Sequence, residues 1–184
     1  RESFDGETGL RGFGVYDHAL CMLALAGAGV AVQVAWIETL VSFQIENGGW
    51  AFDGSMELAM ADSNTTAIAV QALIAAGMTA DQTPIQEGLA YLGTVKAADG
   101  GFAYAVADPL VADANSTGIV IQALVAAGED PASDEWGDSV SVLAAFQNES
   151  GAFRYMHDVP DDNLFATVQA IPALALQPIP VTAG

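Results

Sequence analysis

The chain has 184 residues, 52% of them hydrophobic, which allows one domain with a full core and excludes a disordered segment. Four Lys and Arg against 23 Asp and Glu leave a formal charge of −19, so nucleic-acid phosphates and anionic lipid are poor partners. No run reaches the ~18 apolar residues of a membrane span, because Gly27, Gly29 and Gln33 interrupt the stretch from Ala19 to Val34.

Residues 1–15 read as a lead-in loop. No initiator Met and no signal peptide are visible, so Arg1 is expected to follow a removed leader or an upstream domain. Helices are expected near 17–27, 34–46, 63–76, 84–97, 115–127, 137–147 and 162–175, with no sheet of more than two short strands. The first, third, fifth and seventh are apolar nearly all round and must be enclosed by others. The remaining three are amphipathic. Trp36, Ile37, Leu40 and Val41 form one stripe. Thr83-Pro84 opens the next helix ahead of Ile85, Leu89, Leu92 and Val95, and Val140, Leu143, Ala144 and Phe146 repeat the pattern. Alternation of this kind predicts two layers, the enclosed helices inside and the amphipathic ones outside. Asp, Ser, Asn or Thr can cap each inner helix for about 1 kcal/mol, and Gly27, Gly77 and Gly128 stand where a left-handed residue would stop it. Cys21, the single cysteine, lies in the first inner helix and is expected to be buried and inert.

Self-similarity ties these elements together. Residues 62–77 align with 113–128, a clipped copy follows at 162–170, and an earlier one covers 16–27. Gln71, Gln122 and Gln169 share a position in this alignment, with Cys21 in their place in the first copy, and the period is about 50. The chain therefore divides into repeats 16–61, 62–112 and 113–161, a half repeat 162–177 and an extended tail 178–184. This is a single all-α domain of about three and a half hairpins. A buried amide left unpaired costs about 1–3 kcal/mol, so the three glutamines are expected to form a ladder onto neighbouring helices. A second shared element follows each outer helix. Gln44-Ile45-Glu46-Asn47-Gly48-Gly49-Trp50 recurs as Lys96 to Gly100-Gly101-Phe102 and as Gln147 to Gly151-Ala152-Phe153. The glutamine amide can satisfy loose backbone groups, the glycines make a tight turn, and Trp50, Phe102 and Phe153 fold back to seal the gap between hairpins.

The Gln-x3-Gly-x-aromatic element resembles the repeated motif of triterpene cyclases. With the Asp-x-Asn-x-Thr helix that follows, it is similar to the prenyltransferase and squalene-oxidase repeat of bacterial secreted proteins, over roughly residues 12–177. The resemblance implies an α/α toroid, here partial or open, since a full one closes with about six hairpins. It also implies where chemistry would sit. Class II cyclases protonate substrate with an Asp-x-Asp-Asp-Thr-Ala motif, and the matching stretch Asp62-Ser63-Asn64-Thr65-Thr66-Ala67 has no Asp at the acid position. The zinc ligands of protein prenyltransferases and the thioester Cys-Gly-Glu-Gln are missing too. No catalytic residue, metal site or cofactor is therefore assigned.

Three functions remain open. The first is a non-catalytic structural or interaction module of a secreted or cell-surface protein, able to self-assemble. The second is a small-molecule binder, because Asn115-Ser116-Thr117-Gly118 to Gln122-Ala123-Leu124 is similar to a helix of the cobalamin carriers. The third is a terpenoid cyclase-like or polysaccharide lyase-like enzyme, for which Tyr155, His157 and Asp158 would be an acid–base cluster. Repeat geometry gathers Asp62, Asn64, Tyr104, Asp113, Asn115, Tyr155 and Asp162 at one rim, as helix caps or as a site for a cation or a hydroxyl-rich ligand. The uncapped repeat ends and the apolar tail 178–184 are expected to pack on a neighbouring domain or a second copy.

Overall fold

In the computed structural model, residue 6 and residues 8–180 are described; residues 1–5 and 7 of the lead-in and 181–184 of the tail lie outside the described residues. Seven α-helices run through this span: α1 Val15–Gly27, α2 Val34–Ser42, α3 Ser63–Ala75, α4 Thr83–Thr94, α5 Ala114–Ala127, α6 Ser139–Ala144 and α7 Leu164–Leu174. The segment before α7, read from sequence as loop, adds a small antiparallel pair, β1 Phe153–Met156 and β2 Val159–Asn163.

α1, α3, α5 and α7 pack each against the next, with α2, α4 and α6 attached outside them. The layer order follows from burial. Every residue of α3 from Thr65 to Leu73 and of α5 from Ser116 to Leu124 is buried, whereas α2 buries Leu40 alone. No helix among the described residues is long and apolar enough to cross a membrane.

Local hydrogen bonds set the repeat register. Asp62, Asp113 and Asn163 cap α3, α5 and α7, accepting from Thr65 N at 2.7 Å, Ser116 N at 2.8 Å and Ala166 N at 2.9 Å. Four residues beyond each cap, a threonine hydroxyl accepts the backbone N–H of the motif aromatic: Trp50 to Thr66 at 3.0 Å, Phe102 to Thr117 at 3.0 Å and Phe153 to Thr167 at 2.9 Å. In α1, Gly14 stands at the cap and His18 at the threonine position, where its Nδ1 accepts from Arg11 N at 3.0 Å.

This register corrects four expectations. Asn163, not Asp162, begins α7. Leu23, not Cys21, is the α1 counterpart of Gln71, and the left-handed residue after α1 is Gly29 at φ +70°, not Gly27. Gln169 is not equivalent to Gln71 and Gln122, for the same step from Asn163 reaches Pro172. Nor do the glutamines make a ladder. Gln71 and Gln122 each donate to their own helix, at Ala67 O (3.3 Å) and Gly118 O (3.2 Å). Gln122 alone comes near the next inner helix, 3.5 Å from Gln169 O, while Gln71 Oε1 accepts from Ile179 N at 2.8 Å.

That last bond belongs to the described part of the tail. Residues 178–180 do not leave the array. They turn back over the C-terminal ends of α3 and α1, where Pro180 lies so close to Gly27 that a Cβ there would come within 2.9 Å.

The motif clamps each hairpin to the next. Gln44 Nε2 donates to Gly48 O at 2.8 Å and to Pro84 O of α4 at 2.9 Å, and Lys96 Nζ reaches Glu135 O. Gly48 and Gly100 have φ of +87° and +91°, and a Cβ on them would lie 2.3 Å from Glu87 O and 2.0 Å from Gly137 O. Gly151 keeps φ +88° but has nothing within 4 Å, and Gln147 Nε2 bonds Gly151 O alone. Trp50 and Phe102 are 0% exposed and Phe153 is 3% exposed.

Two stability outcomes follow. Phe102→Ala should cost about 3–5 kcal/mol in urea unfolding. Gly100→Ala should cost clearly more than Gly151→Ala, since both meet the left-handed penalty of about 1–2 kcal/mol but only the first meets a backbone carbonyl. Equal losses would mean that the close approach at Gly100 is not a constraint.

Candidate functional site: the N-terminal rim of the inner helices

The rim is built by the helix caps and by the loops that follow each motif. Asp62 and Asp113 are 2% and 3% exposed. Burial pushes both carboxyls above the usual carboxylate range, against the pull of the helix N–H groups they cap. Asn64 and Asn115 are half-buried in the first turns of α3 and α5, and the Asn115 amide oxygen has no hydrogen-bond partner.

Each loop returns an aromatic to the preceding inner helix. Tyr104 O accepts from Ser63 N at 2.7 Å, and the Tyr104 phenol, half-exposed, is shifted up by burial and then by Asp62. Tyr155 is shifted up by burial and then by Asp113. The structure thus brings Tyr104 to Asp62 and Tyr155 to Asp113. Asp162 stands apart. It is exposed on β2, and hydrogen bonds from Asn148 Nδ2 and Ser150 Oγ, both at 2.8 Å, hold its carboxylate below the usual range.

Several rim residues escaped the sequence reading. Phe52 takes the same place as Tyr104 and Tyr155, two residues past the motif aromatic, and that offset was the available signal. Its ring meets Tyr16 at 5.7 Å, and Tyr16 is in turn shifted up by burial and by Asp62. Tyr91 donates to Ala61 O at 2.6 Å beside them, its phenol raised chiefly by burial. Asp62 therefore sits among phenols, with no cation among the causes of its shift.

Asp62 and Asp113 are engaged here as helix caps. Burial of these two raises their pKa, while the exposed Asp162 is shifted the other way. Among the described residues no three His, Cys, Asp or Glu side chains come together in a metal-holding group. His157 and Asp158 form the exposed turn between β1 and β2, with the His157 ring stacked on Phe146 at 4.1 Å. Cys21 is half-buried rather than buried, with no helix among the described residues packed on that flank of α1; partial burial raises its thiol.

His18 is a further buried titratable group. Trp36 O can only accept, so Nε2 carries the proton toward it at 3.0 Å and Nδ1 is left to accept from Arg11 N. Arg11 also lies over the Trp36 ring at 4.7 Å. Burial lowers the His18 pKa, the Arg11 charge lowers it further, and the Trp36 bond opposes them.

No family profile matches this sequence, and no curated protein does. Solved structures do match. The protein geranylgeranyltransferase-I of Candida albicans, complexed with GGPP, superposes with TM-score 0.60 at 14% identity, over 94% of this chain and 52% of that one. A type II terpene cyclase from Scytonema follows at TM-score 0.47 and 16% identity, over 89% of this chain and 63% of that one. A protein from Actinoplanes has TM-score 0.46 and 17% identity, over 89% and 66%. This chain thus spans between half and two thirds of their length. Its fold is the α/α toroid of the first of them, in partial form.

His18 predicts a pH dependence. Its folded pKa lies below the ordinary 6.5, so its contribution to stability is complete above that value and is lost as pH falls through the folded pKa. The urea midpoint should fall between about pH 7 and pH 5, and His18→Gln should flatten that fall. Asp62 and Asp113 run the other way, their raised values favouring folding as pH drops further toward 3.8. An unchanged slope in His18→Gln would remove His18 as its source.

Proposed function

We propose that this chain is a non-catalytic α/α-repeat module, working through its end faces as a structural or interaction unit of a secreted or cell-surface protein. The unbroken burial of α3 and α5 carries the reading. Helix faces that would otherwise line a substrate chamber are occupied by packing of small and branched side chains such as Ala69, Ala72, Ile119 and Ala123. Apolar surface is exposed at the end of the array instead: Leu164 and Phe165 are each 74% exposed, and Ile171 is 63% exposed. The rim supports the same reading, since its buried carboxyls serve as caps and the cyclase acid position holds Asn64 and Thr65. A secreted or surface setting is in keeping with the charge of −19 and with the repeat that the sequence resembles.

Purified chain incubated with squalene or with geranylgeranyl diphosphate should leave both unchanged. Cyclised or transferred product that disappears in Asp62→Asn would overturn the proposal.

A further inference from the structure

Two grooves of equal size lie along the rim, one hairpin apart. The first encloses about 390 Å3 and is lined by Asn47, Leu58, Ala59, Ala61 and Val106. The second, also about 390 Å3, lies between residues 97–99, residues 110–112 and the turn at His157 and Asp158. They are one feature built twice. Asn47 and Asp99 each stand three residues before a motif aromatic, Trp50 and Phe102. Ala59 and Ala61 stand three residues and one residue before the Asp62 cap, as Leu110 and Ala112 do before Asp113. Val106 and His157 each lie four residues past the motif aromatic of the following hairpin.

Their linings differ in chemistry. Leu58 and Val106 of the first groove are 57% and 65% exposed, and nothing in its lining is charged. Met56 and Met60, on either side of Leu58 in the chain, are exposed as well, so the apolar surface extends along this loop. The second groove carries Asp99 and Asp158, both exposed, with His157 beside them. Asp99 Oδ1 accepts from Gly101 N at 3.0 Å, which fixes that carboxylate at the groove. The basic residues nearest in sequence are turned elsewhere: Lys96 Nζ donates to Glu135 O, and Arg154 Nη2 donates to Ala145 O at 3.0 Å. The pair of grooves therefore offers an apolar seat and an anionic seat, one repeat apart.

That spacing selects a ligand. Packed helices lie about 8–10 Å apart, so neighbouring hairpins repeat at about that distance. A polyproline II strand points a side chain in the same direction every third residue, about 9 Å along its axis. It is also extended before binding, so little freedom is lost when it docks. We propose that the rim binds a polyproline II segment of a partner protein, seating an apolar side chain at Leu58 and Val106 and a basic one, three residues away, at Asp99 and Asp158. The inference deepens the reading of this chain as an interaction module by naming a partner for its rim, and it makes no use of the end faces.

The probe is a fluorescein-labelled peptide, Pro-Pro-Leu-Pro-Pro-Arg-Pro-Pro, together with the same peptide with Leu and Arg exchanged. Fluorescence anisotropy should show saturable binding for at least one order, weakening as salt rises from about 20 mM to about 300 mM. Moving Arg next to Leu keeps charge and composition and should weaken binding about tenfold. Val106→Ser should weaken it about threefold or more, and Asp158→Asn about tenfold. Glu38→Gln, which removes the same charge from the exposed face of α2, should change nothing. All three side chains are exposed, so helical circular dichroism should be that of the parent. No binding in either order, equal affinity for the two spacings, or equal losses in Glu38→Gln and Asp158→Asn would overturn the proposal. So would a dimer in light scattering that Val106→Ser dissolves, since it would give the grooves to a second copy. None of these outcomes touches the non-catalytic reading, which the turnover assay decides separately.

Discussion

A threonine hydroxyl four residues past the cap of each inner helix from α3 onward receives the backbone N–H of the motif aromatic. Thr66 and Thr167 also donate to the carbonyls of their cap residues, at 2.7 and 2.8 Å. Each such hydroxyl is buried or half-buried, where an N–H without a partner would be costly, so the loop leaving an outer helix has one position in which to end. The rest of the hairpin follows. With the aromatic pinned, its ring fills the seam between helices, and the residue two further on is carried back onto the preceding inner helix, as Tyr104 O is onto Ser63 N.

Small side chains let that stitching close tightly. α3 and α5 approach their neighbours through Ala67, Ala69, Ala72, Gly118 and Ala123, all buried. Dense packing of this kind leaves little room for a polar group: Gln71 and Gln122 donate to their own helix backbone, while Thr65 Oγ1 and Gln122 Oε1 find no partner. The caps show the balance. Desolvation disfavours the charged form of Asp62 and Asp113, and helix N–H groups recover part of that loss.

Periodicity made the fold legible. Two helix classes, a shared turn element and a spacing near 50 were enough to predict hairpins in two layers. Register was harder, because the alignment rested on matching letters whereas the structure repeats hydrogen-bond roles. His18 stands where the other inner helices carry threonine and accepts the Arg11 N–H, so the letters of α1 align two residues out of step with its bonds. Gln169 looked like Gln122 by neighbours alone, yet α7 is shorter than α5 and turns its glutamine toward Gly118. The β1–β2 pair gave no signal, since its turn at His157 and Asp158 contains neither Gly nor Asn. Of the rim, the acid and tyrosine positions were readable from the repeat. Their pairing across helices was not, because it depends on which inner helix each loop folds back upon.

The short run from Gln177 to Pro180 changes how such a stack should come apart. Repeat arrays conduct stability only between adjacent units, so they tend to fray from an end and melt piecewise. Here a segment leaving the last inner helix is bonded to Gln71 in the second and packed at Gly27 in the first. That cross-tie joins units distant along the array, and it converts a chain of nearest-neighbour couplings into a loop of them. Loosening α7 then releases contacts on α1 and α3 at the same moment. The whole should unfold as one cooperative body, not as a zipper.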